Sequence, residues 1–314
     1  MKKIIQMLLV MAGIITGLSK ADAQTEVIVF HAGSLSVPMK EAAQAFMKKN
    51  PGVSVVLESS GSLVCARKVT ELKKPCDIVA SADYFVINEL LIPQYADWGI
   101  RFASNRMVIA FTGKSKYSAT IDTSNWKDIL LRNDVIFSRS DPNSDPCGYR
   151  AVFTMKLAEL YYNQPHLSDK LLAKNTEYIR PKEVDLVALM EANVIDYMFQ
   201  YKSVAIQHNL KFIELPRNID LSDPSYNNYY GGVSTVVTGN TPGSSMTVKG
   251  EYINYSLTIL KNAPHNADAQ KFVAFLLGDE GREIFKKCGQ EPITPSVSEQ
   301  YDKVPVSLRN FLKK

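Results

Sequence analysis

The chain has 314 residues, 46% of them hydrophobic, with 36 Lys+Arg against 32 Asp+Glu and a formal net charge of +4. Charges this balanced and interspersed exclude a nucleic-acid-binding protein, which would show a basic stripe or block. The four cysteines, Cys65, Cys76, Cys147 and Cys288, form no CxxC pair, which removes zinc and thioredoxin-type chemistry from the reading.

Residues 1–23 read as a signal peptide. Lys2 and Lys3 supply the positive segment, Ile4–Gly17 the apolar one, and Ala21-Asp22-Ala23 a small-x-small cleavage site that makes Gln24 the mature N-terminus. The apolar run is short for a membrane-spanning helix, so a retained anchor is the lesser alternative, and no cysteine stands at the cleavage point to carry a lipid. Cleavage leaves 33 Lys+Arg and 31 Asp+Glu, a net +2. A mature chain of this length buries a large core and is expected to divide into two lobes.

Strand-like runs follow at Glu26–Phe30, Val53–Leu57, Asp77–Ala80, Arg106–Phe111, Val135–Ser138, Asp196–Phe199 and Lys211–Leu215. Between them lie helix-like runs such as Val37–Lys49, Asn125–Leu131, Gly148–Tyr161 and Lys182–Glu191. The alternation predicts an α/β fold with mostly parallel sheets. Beyond Gly231-Gly232 come VSTVV, a Gly/Pro/Ser loop over Gly239–Ser245, a strand at Glu251–Leu260 and a helix over His265–Cys288, broken at Gly278.

Two of the strands end in turns rich in small hydroxyl residues: His31-Ala32-Gly33-Ser34, and Ser59-Ser60-Gly61-Ser62. Ligands in such sheets bind where strand ends open into helix starts. A third such segment, Ser138–Arg150, contains Asp141-Pro142 and Asp145-Pro146 ahead of Cys147-Gly148-Tyr149-Arg150, so a helix should start near Asp145 with Asp as cap and Pro in its first position. Helix starts expose unpaired N–H groups that suit anions. Singly, each serine and Asp145 reads as an ordinary cap; together the three turns favour an oxyanion site. His31 touches that ligand or simply packs, and Arg150 either attracts the anion or pairs with Asp141 or Asp145.

Other motifs fail on spacing. Gly113-Lys114-Ser115 lacks the glycine a phosphate-binding loop requires, since Val108 stands five positions before Gly113. GxSxG and HExxH are absent. Cys65 and Cys76 flank a helix-like run and are the nearest candidates for a disulfide in an exported protein, against the alternative that all four cysteines are small buried hydrophobes.

HAGSL, SSGS, CDIVASADY, DPCGYR and IDYMFQYKSVAIQHNLKFIELP resemble the tungstate/molybdate-binding proteins of ABC importers, of the archaeal type, over about residues 26–295. The resemblance implies a type II periplasmic-binding-protein fold. Lobe 1 would comprise 24–105 plus 232–314 and lobe 2 106–231, joined by a two-segment hinge near 103–111 and 231–237. It implies a periplasmic protein, not an enzyme and without a cofactor. The protein would capture the oxyanion by lobe closure and pass it to a membrane permease driven by a separate ATPase, itself expected to be monomeric.

The implied ligand-binding residues are Gly33, Ser34, Ser62, Asp145, Pro146, Cys147, Gln200 and a tyrosine hydroxyl from Tyr229 or Tyr230. Asp145 is the implied direct ligand to Mo or W. Gln200 stands where the archaeal pattern resembles FEY, which implies an oxyanion that stays tetrahedral and receives an amide hydrogen from Gln200. The rival readings are a binder of sulfate or phosphate and, in a different class, an exported hydrolase, which lacks a positioned base for its serine.

Overall fold

The computed structural model describes residues 24–239, 241 and 243–314. The signal peptide expected at 1–23 lies outside the described residues. Twelve strands follow in chain order: β1 (Thr25–Ala32), β2 (Val53–Ser60), β3 (Ile78–Ser81), β4 (Ile100–Ser104), β5 (Met107–Phe111), β6 (Phe137–Ser138), β7 (Tyr197–Tyr201), β8 (Lys211–Glu214), β9 (Ser234–Thr238), β10 (Ser245–Lys249), β11 (Asn254–Ile259) and β12 (Glu291–Val297).

A six-stranded sheet has the order β12-β4-β11-β3-β1-β2, and a four-stranded sheet the order β6-β7-β5-β8. The chain leaves the larger sheet at Asn105-Arg106, builds the smaller one, forms the antiparallel β9–β10 hairpin and returns through residues 250–253 into β11. The α/β class is as expected, but the sheets are mixed. Among the strands of the described residues only β2–β1–β3 and β6–β7 pair in parallel. The outgoing strand β4 lies beside the returning strand β11, and neighbours that leave and re-enter a sheet in this way must run antiparallel. Strands β4, β10 and β12 lie outside the strand-like runs expected from the sequence; β12 holds Pro292 and Pro295 and pairs with a shifted register, as proline permits at a sheet edge.

The helix at Pro146–Tyr161 begins where the Asp-Pro pair placed it, and every residue from Pro146 to Met155 is buried. A helix enclosed on all sides loses its amphipathic stripe and fixes its neighbours rigidly. The C-terminal run divides at Gly278 into helices Asn266–Leu277 and Asp279–Lys287, as expected. In the smaller half Phe199 meets Trp126 and Phe137 edge-on, each pair of centroids 6.0 Å apart. In the larger half Phe102 packs on Tyr255 and Phe285.

All four cysteines are buried free thiols, so the Cys65–Cys76 pairing is not made. Cys65 lies within the helix Ser62–Thr70 rather than flanking it, and its thiol points at the His31 carbonyl, while that of Cys76 points at the Ile78 carbonyl. Burial pushes both thiols up to about 12.

Candidate functional site

Register brings the small turns together. β1 and β2 run parallel with Ala32 opposite Ser60, and β1 and β3 with His31 opposite Ala80. The segments Gly33-Ser34, Gly61-Ser62 and Ala82-Asp83 therefore leave the same edge of the larger sheet side by side. Gly33–Leu35 forms a short 3-10 turn and Ser62 opens an α-helix; neither start carries a side-chain cap, so their first amides stay open. Ser34 and Ser62 are fully buried. Ser34 Oγ accepts from the Tyr255 hydroxyl at 2.9 Å, and Ser62 Oγ accepts from the Ala82 amide at 3.0 Å. With a lone pair of each oxygen engaged by the protein, each hydroxyl keeps its hydrogen for a ligand.

The other half contributes two acids. Asp145 caps the helix at Pro146, its Oδ1 accepting from the Cys147 amide at 3.1 Å and its Oδ2 from the Glu183 amide at 3.0 Å. Glu183 is fully buried, and neither of its carboxylate oxygens has a hydrogen-bond partner among the described residues. Burial, then the facing Asp145 carboxylate, holds the Glu183 carboxyl well above its ordinary value; burial likewise raises Asp145.

The two halves meet closely here. A Cβ on Gly33 would lie 2.8 Å from Glu183 Oε2, and one on Gly61 would overlap the Ser144 carbonyl. Glycine at both positions lets backbone from the larger half approach the acidic side of the smaller half, with no side chain between.

Gly33, Ser34, Ser62, Asp145 and Cys147 thus converge as expected, with Pro146 opening the helix but offering no N–H. Gln200 stands one step behind. Its Nε2 donates to the Glu183 carbonyl at 2.9 Å and its Oε1 accepts from the Tyr201 amide at 2.8 Å, so backbone consumes the amide that was assigned to the oxyanion. The Tyr230 hydroxyl donates to the Arg217 carbonyl, and Tyr229 sits on the same short helix, Asn227–Tyr230; the tyrosine hydroxyl beside Ser34 is that of Tyr255. His31 is buried with its Nδ1 at 2.8 Å from the Ala32 carbonyl. Arg150 pairs with neither Asp141 nor Asp145; its NH2 lies 3.0 Å from Asp83 Oδ2.

Sequence reasoning missed Glu183. It sits in Arg180-Pro181-Lys182-Glu183, just before the helix Asp185–Glu191, where an acid reads as a common complement to a helix start. The missing signal was tertiary: the Glu183 backbone bonds to Asp145 through its amide and to Gln200 through its carbonyl, so two expected site residues are the scaffold of an unexpected one.

Residues 27–291 match the family of bacterial extracellular solute-binding proteins. A solute-binding protein of Petrotoga mobilis is 46% identical, covering 93% of this chain and 91% of the relative. The molybdate/tungstate-binding protein WtpA of Thermococcus kodakarensis is 42% identical, covering 93% and 89%. Among solved structures, the periplasmic molybdate-binding protein of Azotobacter vinelandii superposes with a TM-score of 0.62 at 19% identity, covering 84% of this chain and 98% of that one. The sulfate-binding protein SubI of Mycobacterium tuberculosis gives 0.60 at 16% identity, covering 91% and 90%. These two share the fold, two lobes around a cleft. Matched along most of its length, this chain belongs to the bacterial extracellular solute-binding protein family.

Proposed function

We propose that the chain captures tungstate or molybdate between its lobes and delivers it to the membrane permease of an ABC importer. On this reading residues 1–23 export the protein to the periplasm, and the lobe bound expected at 231/232 moves to about 249/250, because the β9–β10 hairpin sits against the smaller half, Lys156 Nζ donating to the Ser234 carbonyl; the lobes are then 24–105 with the chain from about 250 onward, and 106 to about 249. The observation that carries it is the facing pair Asp145 and Glu183, buried beside the Ser34 and Ser62 hydroxyls. Two carboxylates are a poor wall for an ordinary dianion. Each pair of unit like charges 4 Å apart costs about 4 kcal/mol at the effective dielectric of a protein site.

The wall becomes attractive when the centre of the anion accepts a carboxylate oxygen as a fifth and sixth ligand. Mo(VI) and W(VI) have room for such expansion; sulfur in sulfate does not. The oxo groups would then receive the Ser34 and Ser62 hydroxyls and the open amides of the two uncapped turns. The reading replaces the tetrahedral ligand expected from Gln200 with a six-coordinate one, because Glu183 supplies the second carboxylate. The WtpA relative, whose name states molybdate and tungstate, supports the same ligand class.

Calorimetric titration of residues 24–314 with sodium tungstate, molybdate, sulfate and phosphate tests the reading. Tungstate and molybdate are expected to bind tightly and sulfate not at all. Binding of sulfate or phosphate alone, or of none of the four, would overturn it.

A further inference from the structure

The lobes are also joined by a buried ionic cluster outside the cleft. Asp83 follows β3 in the larger half and caps the helix Tyr84–Leu90 through Oδ1, which accepts from the Phe85 amide at 3.1 Å. Its Oδ2 accepts from the Tyr149 hydroxyl at 2.5 Å and lies 3.0 Å from Arg150 NH2. Arg150 NH1 donates to the Ala82 carbonyl at 2.6 Å and to the Tyr201 hydroxyl at 2.8 Å. Asp83, Tyr149, Arg150 and Tyr201 are each no more than 2% exposed. Tyr149 and Arg150 belong to the helix that Asp145 caps, and Tyr201 ends β7, so three members come from the smaller half and grip residues 82–83 of the larger.

We propose that Arg150 and Asp83 are positioning residues that latch the two lobes and set how long a bound oxyanion is retained, without touching it. The inference rests on the oxyanion reading above. Three features support it. First, the guanidinium is already engaged by the protein: NH1 donates to the Ala82 carbonyl and the Tyr201 hydroxyl, and NH2 faces the Asp83 carboxylate as an ion pair without a hydrogen bond. Second, the Arg150 contacts to Asp83 and to the Ala82 carbonyl run between the lobes, so opening the cleft would break both of them together. Third, the latch is wired to the ligand groups at both ends. Ala82 gives its amide to Ser62 Oγ and its carbonyl to Arg150, and Arg150 stands five residues beyond Asp145 on one rigid helix.

Closure by ligand and closure by latch are therefore one event. The ligand fills the space between the two acids, and the latch holds the lobes around it.

The test compares wild type, Tyr149→Phe, Asp83→Asn and the double variant Asp83→Asn/Arg150→Met. Sodium tungstate and sodium molybdate are the probes, with dissociation followed by stopped flow and affinity by calorimetry. Asn keeps the cap on Phe85, and the double variant removes both charges at similar volume, so a folded protein is retained even where one stranded charge would not be tolerated. We expect dissociation of both anions to quicken at least tenfold in Asp83→Asn and the double variant, and less in Tyr149→Phe. The tungstate-to-molybdate affinity ratio and the metal-edge absorption spectrum should stay as in wild type. Unchanged dissociation in the folded double variant would overturn the latch, and so would an altered ratio or spectrum, which would place Arg150 on the ligand. Failure of wild type to bind either anion would instead overturn the oxyanion reading and the latch with it.

Discussion

Two buried clusters of charged side chains lie where the lobes meet, and they are opposites. At the latch, Arg150 meets Asp83, Tyr149 donates to the same carboxylate, and Arg150 NH1 donates to Tyr201 and the Ala82 carbonyl. At the cleft, acid faces acid: burial, then the neighbouring Asp145, raises the Glu183 carboxyl, and neither Glu183 oxygen has a hydrogen-bond partner among the described residues. A buried charge without a partner is costly, and one with good geometry roughly breaks even. The contrast teaches where the molecule expects something from outside. At the latch opposite charges face each other; at the cleft two acids do, an arrangement that suits an electrophilic centre.

The largest effect follows from removing one acid. Glu183→Gln or Asp145→Asn should each weaken tungstate or molybdate binding ~100-fold or more, about 3 kcal/mol, because a neutral amide oxygen is a poor metal ligand. Without ligand, Glu183→Gln should stabilise the protein at high pH, where the buried Glu183 carboxyl must otherwise ionise beside Asp145. Calorimetry and urea unfolding read the two opposite changes. A loss of both affinity and stability would make Glu183 structural and break the contrast.

A third buried group beside the cleft sharpens it. Burial lowers His31 to about 4, with no acid to hold its charge. Its folded value lies below the unfolded 6.5, so its contribution to stability is present above pH 6.5 and is lost as pH falls through about 4. The loss should reach roughly 3 kcal/mol. Urea unfolding of the ligand-free protein between pH 7 and 4 should show wild type losing that much more than His31→Gln. Parallel curves would mean that His31 charges freely in the fold.

Smaller still are the neutral donors. Ser34→Ala and Ser62→Ala should each weaken oxyanion binding by ~1.5–3 kcal/mol, the range for a hydrogen bond to a charged group, with little change in melting temperature without ligand. Unchanged affinity in both would leave the cleft with acids alone and no reason to favour an oxyanion.

Much of this arrangement was legible in the sequence because local chemistry and tertiary role coincide. Asp145 caps a helix and faces the cleft; the Gly33-Ser34 and Gly61-Ser62 turns end neighbouring strands in register. Glu183 was hidden because an acid at a helix start has a sufficient local explanation. Gln200 was misplaced for the converse reason: it lies next to the site in space, but its amide satisfies backbone. The mixed sheet order was equally unreadable, since β4 and β11 are neighbours only because the chain makes a long excursion between them. The Asp83–Arg150 contact joins two helices of different lobes, and nothing at either position announces the other.

The central claim is that Asp145 and Glu183 both bond the metal of the captured oxyanion. Metal-edge X-ray absorption on wild-type protein loaded with molybdate, compared with free molybdate, tests it most directly. The account predicts loss of most of the intense pre-edge feature of the tetrahedral ion, as six-coordination requires. A protein-bound spectrum that retains the full tetrahedral pre-edge would contradict it.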